Sequence, residues 1–252
     1  MDYDELKMYV DTITLDDLVN EEIINSNSHE TQFLIDLYEL VRISLIAEIN
    51  EFSKYHEDSE VIYAVQLQFS QVILTFKSTL LLSSYGYYTN SMINLRSLFE
   101  TFFNIRYILL GESKKERNRR SKEFTQNKRP RKADGSLLSI YDKVLASPYL
   151  LDQAYYNAFY SSLSQYTHAN YIGVAQQGDI DGIRTFPSSN KIDLVLSILS
   201  GVFYDLIEFL SKHLDFKNTF NELSKINKPE KFFFFQVHIN EEIRKLKRKE
   251  SI

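Results

Sequence analysis

Apolar residues recur at helical spacing along most of this chain. Phe33, Leu37, Leu40, Val41, Leu45, Ile49 and Phe52 fall on one stripe between Glu30 and Lys54. Val61, Val65, Phe69, Val72, Phe76 and Leu80 repeat that stripe between Glu60 and Ser84, so the two segments predict an antiparallel helix pair. Tyr85-Gly86-Tyr87 breaks the pattern, and the stretch SMINLRSLFETFFNIRYILL (91–110) predicts a third long helix ending near Gly111. A short helix is expected over 136–146. Pro148, tolerated in a first helical turn, then opens another helix to about Asn170. Helix resumes over 191–214. The last segment, from Pro229, sets Phe232, Phe235, Ile239, Ile243 and Leu246 on one face and Phe233, Phe234 and Val237 on another. Upstream, residues 2–25 predict one or two short helices, with Thr14 as N-cap of LDDLVNEEII.

The run GVAQQGDIDGIRTFPSS within 172–190 holds three of the seven glycines and predicts a loop in which GDIDG turns a small hairpin. Seven Gly and four Pro in 252 residues, with 44% hydrophobic content, favour long helices over a turn-rich β fold. The expectation is a mainly α protein: one domain over 1–252, a bundle of about six to eight helices, with 1–25 and 229–252 as peripheral helices.

Composition narrows the chemistry. Without cysteine there are no disulfides, thiolate nucleophiles or cysteine-held metals. The acidic start MDYDELKMYVD lacks the basic and apolar blocks of a secretory signal. The most apolar stretch, 192–210, is interrupted by Asp193, Asp205 and Glu208, costly groups in lipid. A cytoplasmic protein with no membrane association is expected.

Charge is divided unevenly under the net −5. Residues 1–60 hold 16 acidic against 3 basic residues, whereas 114–132 (KKERNRRSKEFTQNKRPRK) holds 10 basic against 2 acidic. Lys114, Lys115, Arg117, Arg119, Arg120, Lys128, Arg129, Arg131 and Lys132 form a patch able to attract RNA or another phosphate-bearing ligand. The plainer alternatives are a solvated helix end, or a patch facing the acidic region of a second copy. The two-sided last helix fits either a central place in the bundle or a homo-oligomer contact through Phe233, Phe234 and Val237.

Within the third helix Arg96 and Glu100 stand one turn apart amid Leu95, Leu98, Phe99, Phe102 and Phe103. A charge taken out of water costs several kcal/mol unless an opposite charge and hydrogen bonds replace the hydration. The later stretch YSSLSQYTHANY sets Ser164 and His168 on one helical face. If the two helices pack side by side, Arg96, Glu100, Ser164 and His168 form one polar site. It serves either as a catalytic cluster, with His168 as general acid or base and Arg96 as oxyanion stabiliser, or as an ionic network fixing helix register. No cofactor and no metal is expected: neither His-Glu-x-x-His nor a Glu-x-x-His repeat occurs, and no glycine-rich phosphate loop is present.

The pair NLRSLFETFFNIRYIL and LSQYTHANY resembles a bacterial family of all-helical proteins of unknown function, marked by an Arg-x-x-x-Glu helix and a later Ser-x-x-x-His helix. The resemblance covers mainly residues 60–215. It implies that Arg96, Glu100, Ser164 and His168 are the characteristic residues, and it brings no established activity. An interaction or ligand-sensing role, of the kind found in stress or phage-defence modules, is the first functional expectation. The alternative is a metal-independent ribonuclease using Arg96 and His168, because Arg–His pairs cleave RNA in the helical HEPN ribonucleases. Those enzymes place Arg and His a few residues apart on one segment, a spacing this chain lacks.

Overall fold

The computed structural model describes residues 28–55, 59–85, 87–126, 130–132, 134–167, 178–179, 182–183 and 192–250. The helices expected over 2–25 lie outside them. Nine helical segments are present among the described residues. Helix α1 covers 28–55 and is interrupted by a π-helical segment at Val41–Leu45. Helices α2 (Ser59–Ser84) and α3 (Tyr88–Leu109) follow. Next come α4 (Lys114–Thr125) and α5 (Ile140–Leu145). Helix α6 covers 150–167 with a π-helical segment at Tyr156–Tyr160, and α7 is Ile192–His213. The chain closes with α8 (Lys217–Leu223) and α9 (Glu230–Glu250).

The mainly α bundle is as the periodicity predicts, and so is the hairpin. β1 (Gly178–Asp179) pairs antiparallel with β2 (Gly182–Ile183), Gly178 opposite Ile183. The basic run that loosens at Pro130 is helical through Thr125, because Ser113 accepts from Glu116 N at 3.2 Å and so caps α4. Ser139 and Asp142 form a reciprocal capping box that starts α5. Asp215, in the left-handed region at φ 56°, turns the chain out of α7 while Phe216 N bonds back to Ser211 O. The short α8 that follows has no counterpart in the sequence reading. Glu48 on α1 holds its N-terminus by accepting from Asn218 N and Thr219 N, at 3.1 and 3.0 Å.

Helix α3 is the centre of the bundle. It packs against α2, α4, α5, α7 and the end of α6, and buries Leu95, Leu98, Phe99, Phe102, Ile105 and Ile108 completely. Helix α2 therefore takes α3 as its main partner. Its contact with α1 is smaller and lies mainly along residues 46–55, with Tyr38 stacked on Phe76 at 6.0 Å further along. Helix α7 is the one described helix long and apolar enough to cross a membrane, and 78% of that apolar window is buried inside the bundle. Helix α9 lies across α7 and the first half of α6. Gly201 permits that crossing: a Cβ there would stand 2.1 Å from the Phe235 ring, which itself stacks on Phe159.

Candidate functional site

Of the sequence-predicted cluster, Arg96 and Glu100 meet on one side of α3. Arg96 Nε donates to Glu100 Oε1 at 3.0 Å, and the end of α6 packs alongside. The π-helical segment of α6 delivers Tyr160, whose hydroxyl donates to the same Glu100 oxygen at 2.9 Å. The Arg96 guanidinium stands 5.8 Å from the Tyr160 ring centre. Burial, reinforced by the Glu100 charge, pushes the Tyr160 phenol up to about 12, so it stays a donor at neutral pH. Ser164 donates to Ser161 O at 2.7 Å, within its own helix. His168 lies outside the described residues. One feature of the expectation needs correction: the Arg96 and Glu100 side chains are 22% and 37% exposed, a rim pair rather than a buried one. Leu95, Leu98 and Phe99 turn inward, and the i, i+4 pair faces outward across the helix.

The basic run is largely spent on local pairs. Glu116 accepts from Arg119 at 2.8 Å and from Arg120 at 2.9 Å; the Arg119 bond leads in holding its carboxyl down at about 2. Arg119 also reaches Glu123, and Lys122 meets Glu60 on α2 at 3.5 Å. Arg117 donates to Gly111 O at 3.4 Å. Lys132 pairs with Asp142 at 2.7 Å and Arg131 donates to Gly135 O. Lys114 and Lys115 are exposed at the start of α4, while Lys128 and Arg129 lie outside the described residues.

The buried charge that the apolar setting of α3 demands sits at its other end. Arg106, 4% exposed, places Nε 2.6 Å from Asp152 Oδ1 in the first turn of α6, with side-chain exposures of 5% and 1%. Three rings enclose the guanidinium: Phe209 at 4.1 Å, Tyr149 at 5.1 Å and Phe102 at 5.3 Å. Burial pushes the Asp152 carboxyl up from its ordinary range, and Arg106 pulls it partway back. Two further buried cations converge here. Arg120 donates to Tyr107 O at 2.6 Å and lies over the Tyr107 ring. Lys143 on α5 donates to Asn104 Oδ1 at 2.6 Å, while Asn104 donates to Gln68 on α2. Burial pushes the Lys143 ammonium down to about 8. Arg106, Arg120, Lys143 and Asp152 line an indentation of about 210 Å³, open solvent included, with Ser147 at its edge. Side chains close it too tightly to admit a water molecule.

Sequence reasoning centred on Arg96 and Glu100 and missed the importance of Arg106. The signal was present, since Phe102, Phe103, Ile105, Ile108 and Leu109 surround it as densely as Leu95 to Phe103 surround Arg96. Asp152 reads from sequence as an acidic first-turn residue, and Lys143 as an ordinary cation near a helix end, so neither announced a buried partner.

The fold and these two polar ends of α3 define a mainly helical bundle organised on one central helix. Residues 63–150 match the model of a family of unknown function (DUF5677). The matched span runs from α2 to the first residue of α6, and so contains Arg96, Glu100, Arg106, Arg120 and Lys143. No curated protein and no solved structure matches the chain.

Proposed function

We propose that this protein is an interaction component that associates with a second copy of itself through the outer side of the segment around α5. One observation carries the reading. Leu137, Tyr141, Leu145 and Tyr149 recur every fourth residue and are 47%, 47%, 51% and 47% exposed. Single exposed apolar residues are ordinary, but Tyr141 and Leu145 stand one turn apart on α5 and are flanked in sequence by exposed Leu137 and Tyr149. The divided charge of the chain favours a second copy as the occupant, because the acidic 1–60 region of one copy complements the exposed lysines at the start of α4, Lys114 and Lys115, of another. Phe233 and Val237, 54% and 51% exposed on α9, offer a second apolar contact in the place where the last helix reads as two-sided.

Sedimentation velocity between 5 and 100 µM tests this, with Leu145→Glu and Val237→Glu beside the wild type. Self-association that Leu145→Glu weakens at least tenfold supports the α5 surface. Loss with Val237→Glu alone moves the contact to α9, and a wild type that stays monomeric throughout sinks the proposal.

A further inference from the structure

We infer that the closed indentation at the end of α3 is a binding site for a phosphate-type oxyanion, held between Lys143 and the two buried arginines. Arg106 has Asp152 as its counter-ion and Arg120 has Glu116. Lys143, 8% exposed, has no carboxylate within 4 Å among the described residues. Its contacts there are the Asn104 amide oxygen and the face of Phe124 at 5.2 Å. Glu100 and Glu123 act on it only from a distance. Lys143 is thus the one of the three buried cations without a carboxylate at contact distance, with Glu123 acting on it from further off, and a bound anion would complete it.

The donors tell the same story. Arg106 sets Nε at ion-pair distance from Asp152 without a well-formed hydrogen bond, and its terminal nitrogens have no acceptor among the described residues. Arg120 spends Nε on Glu116 and Nη1 on Tyr107 O, which leaves Nη2. Lys143 has three N–H groups and one acceptor. A tetrahedral oxyanion carries acceptors in the number and spread these groups lack, and guanidinium forks suit it. The indentation is shut by its side chains, so a ligand would fit there only with the Lys143 ammonium displaced from Asn104 Oδ1. Asp152 and Glu116 remain on their arginines and keep the site selective for a compact anion over a polyanion.

The test uses inorganic phosphate as the probe, with melting temperature measured in the full chain at constant ionic strength balanced by chloride. Wild type is expected to gain roughly 3 °C between 0 and 20 mM phosphate, and Lys143→Gln, which keeps a bond to Asn104, to gain none. Lys143→Met serves as a second neutral variant if the first folds poorly, with circular dichroism confirming helicity. Isothermal titration should show the same pattern, saturable in wild type and at least tenfold weaker in the variant. Equal gains in wild type and variant would mean general salt stabilisation and would overturn the site, as would no gain in either. A gain with vesicle-bound phospholipid headgroups but none with free phosphate would overturn the compact-anion ligand.

Discussion

Replacing Asp152 by alanine puts the weight of the Arg106 pair to a direct test. The two side chains are 5% and 1% exposed and 2.6 Å apart, so the variant leaves a guanidinium in a ring-lined pocket without its carboxylate. Removing one member of a buried pair costs about 3–5 kcal/mol, far above the 0–1 kcal/mol of an exposed pair. For a chain of this length that corresponds to a melting temperature lower by roughly 6–20 °C. Asp205 on α7 also acts on Arg106, so the measurement is repeated in an Asp205→Asn background, where no second carboxylate can take over. The companion Arg106→Met, Asp152→Leu double variant, which removes both charges, should recover most of the loss. Thermal and urea unfolding by circular dichroism supply the numbers. A cost under about 1 kcal/mol in the Asp205→Asn background would refute the claim that this pair organises the end of α3.

Two further outcomes follow from the geometry. Burial, then the neighbouring Glu208, push Asp205 up to about 7, above the unfolded value of about 3.9, so its ionisation opposes folding. This destabilisation grows as pH rises from about 4 to 7; Asp205→Asn should melt higher than wild type at pH 8 with the gap closing near pH 4, and a pH-independent gap would reject the assignment. Gly201→Ala places a methyl group 2.1 Å from the Phe235 ring and should destabilise by about 1–3 kcal/mol in urea unfolding, where an unchanged midpoint would show that α9 is free to shift.

The helices were legible from sequence because each long one carries its own apolar stripe: the segments at 91–110, 191–214 and 229 onward lie within a few residues of α3, α7 and α9. Which helix takes which partner was not, since Tyr38 and Phe76 do meet while α2 packs mainly on α3, a choice made by three-dimensional fit. The rim cluster was half legible. Spacing alone gives the Arg96–Glu100 pair, but Tyr160 completes it because a π-helical segment shifts α6 out of ordinary α register, and periodicity assumes that register. Arg106 and Asp152 are 46 positions apart in sequence, and no local pattern links them.

The π-helical segment at Tyr156–Tyr160 sets a limit on which length changes the chain can accept. Such a turn contains one residue more than an α-helix needs. Deleting one residue there would leave an unbroken helix, yet everything beyond it would turn by about 100° and draw back by about 1.5 Å. Ser161–Thr167 would then leave the side of α3, and Tyr160 would lose Glu100. A deletion of this kind would keep helicity while erasing the rim site. In homologous chains, the length of α6 is therefore a marker for the site even where the side chains themselves have changed.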